Sequence, residues 1–175
     1  MILRCTQRLL KGTGLPVVAD PPAPEAALGE WYANTVALPF AGRWLVMYTS
    51  ARTLLTVVAP GRVIRTTLPV FQQRLPALLR RLDLSEAWVD AQARAVEEVF
   101  IARTSDRKVL GSMNEIAYHV WLVAAEERSF ETLDLDGLEL ELSKSLSGML
   151  RYRTPAQVTL ELARTDAAAL RTPAD

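Results

Sequence analysis

W-Y-A-N-T-V-A-L at residues 31–38 opens the part of the chain that decides the fold, and R-W-L-V-M-Y-T at 43–49 and T-L-L-T-V-V-A at 53–59 follow it. Aromatic and β-branched residues, which favour strands, are frequent in all three stretches. The breaks between them are too short for the crossover that a parallel pair of strands needs. The sequence therefore predicts a three-stranded antiparallel meander.

Helical patterns follow this predicted meander. Apolar residues recur at the spacing of one helix face over residues 68–82, where Thr67 can cap the helix and Pro76 predicts a kink or a break into two short helices. Further helix starts are predicted at residues 6, 85, 112 and 154, because a capping residue stands there before a helical segment. The helix that starts at Ser112 is expected to run over residues 113–127.

Two further strands complete the expected fold. They are predicted at residues 1–5 and at 138–142, where L-E-L-E-L alternates strictly. Residues 99–102 fit either a strand or the end of a helix. We expect an α+β fold, with the antiparallel meander packed against three to four helices in a single domain over residues 1–165. Residues 166–175 are expected to form a frayed tail.

The composition is that of one folded domain. Of 175 residues, 50% are hydrophobic and 23% are charged, which is far from the composition of disordered chains. The single cysteine, Cys5, excludes an intrachain disulfide and a multi-cysteine zinc site. No apolar run reaches the roughly 20 residues that span a bilayer. These features predict a cytoplasmic protein without a membrane segment, a metal or a cofactor.

Charge is unevenly distributed along a chain whose formal net charge is zero. Residues 43–108 hold 11 Lys or Arg against 6 Asp or Glu, whereas residues 109–141 hold one Arg against 8 acids. The basic half could bind nucleic acid or another polyanion. The two halves could equally complement each other within the fold or across a homodimer, or simply be solvated.

The segment T-S-D-R-K-V-L-G-S-M-N-E at residues 104–115 holds the candidate site. Basic residues crowd a predicted helix start, where free amides and the helix dipole already favour an anion. Ser112 and Glu115 also form a capping-box pattern, which gives them a purely structural role. The candidate binding residues are Arg103, Thr104, Arg107, Lys108, Ser112, Asn114 and Glu115.

Other residues that could carry chemistry have simpler structural interpretations. His119 lies within a predicted helix and is expected to be packed or half-exposed, and Cys5 is expected to be a small buried hydrophobe. Glu139 and Glu141 are expected on the solvent side of the strand at 138–142. Four aromatic residues on the meander could stack bases but more simply form core: Trp31, Tyr32, Trp44 and Tyr48. No glycine-rich phosphate loop, G-x-S-x-G or H-E-x-x-H is present.

Several stretches together resemble a known family. They are I-L-R-C-T-Q-R-L-L-K at residues 2–11, L-G-E-W-Y-A-N at 28–34, R-T-L-L at 52–55 and L-G-S-M-N-E at 110–115. They are similar to an uncharacterised bacterial family, a domain of unknown function. The resemblance implies a cytosolic bacterial single domain and brings no activity, cofactor or catalytic residues with it.

Two classes of function remain open. One is a small binding or regulatory module that acts through a protein or nucleic-acid partner in a bacterial accessory or mobile-element system. The missing catalytic motifs and the segregated charge favour it. The other is a small enzyme for a phosphate-bearing or other anionic substrate, in which Arg103, Arg107 and Lys108 hold the charge. Asn114 or Glu115 would then lie near the reacting group.

Overall fold

The structure is a computed structural model that describes residues 1–24 and 26–169. Its strands are β1 (Ile2–Cys5), β2 (Trp31–Ala37), β3 (Trp44–Ser50), β4 (Thr56–Pro60) and β5 (Phe100–Arg103). Its α-helices are α1 (Gln7–Thr13), α2 (Ile64–Arg81), α3 (Glu86–Ala95), α4 (Arg107–Glu126), α5 (Leu135–Lys144) and α6 (Pro155–Ala169). One 3-10 turn, Phe130–Thr132, separates α4 from α5. Of the predicted frayed tail, residues 166–169 belong to α6, and residues 170–175 lie outside the described residues.

The five strands form one mixed sheet in the order β4-β3-β2-β1-β5. Strands β2, β3 and β4 pair antiparallel in sequence, which confirms the predicted meander. Strand β1 pairs parallel with both β2 and β5, so the sheet is not purely a meander. The α+β class is confirmed, and helices rather than tight turns link the parallel strands.

Residues 100–103 form the edge strand β5, which decides between the two interpretations of that segment. The Phe100 amide donates to the Met1 carbonyl at 2.9 Å, and four residues of β5 pair with β1. Pairing with a strand almost a hundred residues away therefore fixes a conformation that the local pattern left open.

Alternate residues on the strands face two separate cores. Trp31 and Tyr48 face the first core, where both contact the Phe71 ring of α2 at centroid distances of 4.9 and 4.4 Å. Tyr32 and Met47 face the second core. Helices α1, α2, α3 and α6 cover the first core, and α4 and α5 cover the second. The described chain therefore has six α-helices rather than the expected three to four, and they lie on both faces of the sheet.

The predicted structural roles of the aromatic residues and Cys5 hold. Trp31, Tyr32, Tyr48 and Cys5 are buried in the two cores. Trp44 lies at the margin with the Arg8 guanidinium 4.5 Å from its ring centroid. Burial raises the pKa of the Cys5 thiol to about 12, which suppresses its thiolate at neutral pH.

The prediction that Ser112 caps a helix is wrong. Helix α4 begins at Arg107, five residues earlier, and Asp106 is its N-cap, with its carboxylate accepting from the Lys108 amide at 2.7 Å. Ser112 is buried inside the helix and donates to Met149 Sδ at 3.5 Å. An Asp caps a helix as well as a Ser does, and the apolar repeat already includes Val109.

The prediction of a strand at residues 138–142 is also wrong, because these residues belong to helix α5. The Asp134 carboxylate caps this helix by accepting from the Asp136 amide at 3.0 Å. Leu138 and Leu142, one turn apart, are buried on the same side of α5. Leu and Glu are strong helix formers, and that propensity outweighs the alternation.

Two other helix starts bear on the predictions. Helix α2 begins after Val63, so Thr67 is not its cap and instead contacts Tyr48 Oη at 2.7 Å. The helix continues through Pro76 to Arg81. The capping box of α6 is confirmed, since Thr154 and Gln157 exchange side-chain and amide hydrogen bonds at 2.9 and 3.2 Å. Among the described residues, no helix has both the length and the apolar character needed to cross a bilayer.

Candidate functional site

The seven candidate binding residues fall into two groups along α4. Arg103 ends β5, Thr104 follows it, and Arg107 and Lys108 form the first turn of the helix. The remaining three lie further along the helix: Ser112, Asn114 and Glu115. Since a helix rises about 1.5 Å per residue, roughly 7 Å or more of axis separates this second group from the helix start.

The helix start is already occupied by groups of the chain itself. The Asp106 carboxylate caps it, and the Asp106 amide donates to Tyr32 Oη at 3.1 Å. Ser105 Oγ lies 3.1 Å from the same Tyr32 oxygen. An anion bound there would compete with the Asp106 carboxylate, and it would have the exposed side chains of Arg107 and Lys108 beside it.

The same helix start lies beside the carboxyl ends of two parallel strands. Strands β1 and β5 are neighbours, and the helices that follow them, α1 and α4, leave for opposite faces of the sheet. Leu9 of α1 packs in the first core and Val109 of α4 in the second. Ligands of open α/β sheets bind at such carboxyl ends, where successive connections diverge.

Ser112 and Glu115 line a shallow groove of about 120 Å³. The groove runs between α4, the end of α5 and the loop that follows α5. Its other lining residues are Leu54, Ile116, His119, Leu142, Ser145, Leu146, Ser147 and Pro155. Asn114 is exposed on another side of α4 and does not line this groove.

His119 joins α4 to the end of α5 at the rim of the groove. Its Nε2 lies 2.6 Å from Glu141 Oε1, and its Nδ1 lies 3.5 Å from Ser145 Oγ. The Ser145 hydroxyl donates its single proton to the Glu141 carbonyl at 3.1 Å, so it is not a nucleophile activated by the histidine. The half-exposed, packed position predicted for His119 is confirmed.

Glu139 is fully buried, so its predicted position on the solvent side is wrong, whereas Glu141 is exposed. The Glu139 carboxylate accepts from Arg74 Nε at 2.9 Å, from Arg81 Nη2 at 3.0 Å and from the Val58 amide at 3.0 Å. Burial raises the pKa of this carboxyl, and the hydrogen bond from Arg74 opposes the rise. The cluster joins α5 to α2 and to the edge strand β4, so it has a structural role.

The outward side of α4 carries an exposed apolar surface that the sequence analysis missed. Tyr118 is 63% exposed, and Trp121 and Leu122 are each 41% exposed. The inward side of the same helix buries Val109, Met113 and Val120 in the second core. A helix that is apolar all round is usually buried all round. The core-facing stripe is the part of the pattern that predicts the helix, and the outward apolar residues stand between its members in the sequence.

The loop after α5 extends this surface past the groove. Leu146 is 69% exposed and Tyr152 is 80% exposed, and Met149 is partly exposed beside Ser112. Hydrogen bonds between Ser147 and Arg153 close the loop, and Tyr152 adopts a positive φ of 59°. We call these side chains the outer face: Tyr118, Trp121 and Leu122 of α4 with Leu146, Met149 and Tyr152 of the loop.

Comparison with known proteins gives a family and no activity. Residues 2–158 match the model of a family described as a domain of unknown function, DUF6933. No curated protein matches the chain. The match covers the segments on which the resemblance to a domain of unknown function depends.

Proposed function

We propose that this chain, which belongs to the DUF6933 family, is a protein-binding module that docks its partner on the outer face. The observation that carries the proposal is the exposure of Tyr118, Trp121 and Leu122 on a helix whose opposite side is core. Exposed apolar area costs about 25 cal/mol per Å², so clustered large side chains are typical of a surface that another molecule covers.

The residue types of the outer face favour a protein over a nucleic acid. Tyr, Trp and Met are enriched at protein interfaces, whereas charged residues are depleted from interface centres. Of the two arginines that flank Tyr152, Arg153 pairs with Glu161, which leaves Arg151 to face a phosphate, whereas nucleic-acid binding needs several Lys or Arg. The polar groups of His119 and Glu141 at the groove would form part of a polar rim.

Site-specific photo-crosslinking in the native host tests this proposal. A photoreactive phenylalanine analogue replaces Tyr118 or Tyr152 of the full chain, and it replaces Val17 as a control. Val17 is 41% exposed but is not part of the outer face. We expect a discrete protein adduct from the two outer-face positions and none from Val17. A second substitution, Leu122→Lys, should remove the adduct from position 118.

Two results would count against the docking surface. One is the absence of any adduct from positions 118 and 152. The other is an adduct that forms equally from Val17, or that survives Leu122→Lys, because it would then reflect random collisions.

The alternative function, an enzyme for an anionic substrate, is favoured by one observation. The start of α4, with Arg107 and Lys108, lies beside the carboxyl ends of the parallel strands β1 and β5. Replacing both cations with Gln should then lower the affinity for a phosphate-bearing ligand and flatten its salt dependence. An unchanged melting temperature of the native chain in added phosphate and in added nucleotides would argue against this function.

A further inference from the structure

We infer that the outer face pairs with a second copy of this chain, through two α4 helices packed antiparallel about a twofold axis. This inference rests on the proposed docking function and names its partner. Three features of α4 support it independently: the spacing of its outward residues, a glycine that the chain itself does not require, and the charges at its two ends.

The outward residues of α4 have the spacing of a helix-pairing seam. Gly111, Asn114, Tyr118, Trp121 and Ala125 follow one another at steps of three, four, three and four residues, and all are exposed. This heptad pattern brings side chains to one line along a helix, where they can interlock with a second helix. The inward residues Met113 and Val120 lie on the other side of the helix.

Gly111 has no evident role within the chain. It lies inside a 20-residue helix, where glycine costs roughly 1 kcal/mol relative to alanine. Its φ is not among the positive values, and a Cβ built on it would meet no atom within 4 Å. Neither backbone geometry nor internal packing therefore calls for glycine. A large side chain that approaches from another molecule would explain it.

The charges at the ends of α4 specify an antiparallel partner. Arg107 and Lys108 in the first turn outnumber the N-cap Asp106, and Glu126 and Glu127 at the end outnumber Arg128, so the net charge at each terminus opposes the helix dipole. None of the side chains of Arg107, Lys108, Glu126 and Glu127 forms an ion pair within the described part of the chain, and the Glu127 carboxylate accepts a hydrogen bond from the Thr132 hydroxyl at 2.7 Å. An antiparallel second helix places the basic end of each copy beside the acidic end of the other. A parallel helix would place like charges together.

The register of the two helices follows from the residues on either side of the middle of α4. With the twofold axis opposite residue 116, Gly111 faces Trp121 of the second copy, and Asn114 faces its Tyr118. The indole then fills the space that the missing side chain leaves. Because α4 is about 30 Å long, the two helices overlap over nearly their whole length in this register. Glu126 then faces position 106 of the second copy, one to two residues from its Arg107 and Lys108.

Sedimentation of the purified full chain over a range of concentrations tests the inference. We expect the mass to rise from 19.4 kDa to twice that value. The variants R107E/K108E and E126K/E127K should each remain monomeric at concentrations where the native chain is a dimer. Their equimolar mixture should recover the dimer, because both ends of the mixed antiparallel pair are complementary again.

Two further variants test whether the dimer depends on α4 in particular. G111L should lose the dimer, and at high dilution, where the native chain is monomeric, it should melt no lower than the native chain, since the position is open within the chain and leucine favours helix. R62E/R65E is the matched control, because it reverses two exposed cations at the start of α2, on the other side of the sheet. It should dimerise like the native chain.

The inference is wrong if the native chain stays monomeric at every concentration, or if the mixed charge variants fail to recover the dimer. The crosslinking experiment then separates the two proposals. An outer-face adduct with a different protein would leave the docking function standing and exclude self-pairing. A monomeric chain with no outer-face adduct would overturn both.

Discussion

At the scale of single residues, Glu139 is a buried carboxylate that three groups of the chain hydrogen-bond. Its carboxylate accepts hydrogen bonds from Arg74, Arg81 and the Val58 amide. Without Glu139, the Val58 amide loses its acceptor, and Arg74 and Arg81 keep, among the described residues, only the exposed carboxylate of Asp136 as an ion-pair partner. We expect Glu139→Ala to lower the free energy of unfolding by about 3 kcal/mol, measured by urea denaturation.

Glu141, two residues further along the same helix, provides the control for this prediction. Its carboxylate pairs with His119 but is exposed, and exposed pairs contribute at most about 1 kcal/mol. Glu141→Ala should therefore have a small effect. If both variants lower the free energy of unfolding equally, the burial of Glu139 does not increase its contribution to stability.

Cys5 should be protected from thiol reagents by the fold. Its burial raises its pKa to about 12, and only the thiolate reacts. In the native chain at neutral pH, we expect labelling by a thiol reagent to be slow and to follow the opening of the structure. In denaturant, one thiol per chain should react at once. Rapid labelling of the native chain would show that Cys5 is not buried between β2 and β5 in the folded protein.

At the scale of elements, the start of α4 is fixed by Asp106 rather than Ser112. Asp106→Ala should lower the free energy of unfolding by about 1 kcal/mol, because the Lys108 amide loses its acceptor. Ser112→Ala removes only a hydrogen bond to the Met149 sulfur and no cap. Urea or thermal denaturation of both variants tests which residue caps α4. A larger loss of stability from Ser112→Ala than from Asp106→Ala would contradict the assignment of Asp106 as the cap.

The two wrong predictions of elements have one physical cause. The pattern around Ser112 and the alternation at residues 138–142 are both local, and each competes with a signal nearby. Asp106 is an equally good cap six residues upstream, and Asp134 caps α5 ahead of the alternating stretch. Glu139 was assigned to solvent because polar residues are normally exposed, and its burial is possible because two arginines of α2 and a backbone amide of β4, all distant along the chain, hydrogen-bond its carboxylate.

At the scale of the whole molecule, the sequence predicted what neighbours along the chain determine. The antiparallel meander was predictable because its connections are short. The placement of β1 between β2 and β5 was not, since it depends on pairing across almost a hundred residues. The candidate site was predictable only in part. Arg107 and Lys108 lie in the first turn of a helix that was expected to begin only at Ser112, because the cap at Asp106 was not recognised.

Self-association should also appear in the stability of the native chain. If α4 pairs with a second copy, the folded state is stabilised by mass action, and the melting temperature rises with protein concentration. Trp121→Lys removes the large side chain of the outer face from the pair but touches neither core. The melting temperature of this variant should therefore not depend on concentration, and at high dilution it should equal that of the native chain.

Met113→Ala tests the opposite side of the same helix. Met113 is fully buried in the second core, so its truncation should lower the free energy of unfolding by about 2 to 5 kcal/mol at every concentration. Calorimetry of the three proteins over a wide concentration range separates the two sides of α4. If the native melting temperature is independent of concentration, or if Trp121→Lys destabilises the dilute chain as much as Met113→Ala does, the outward side of α4 contributes to the fold of the single chain and not to a pair.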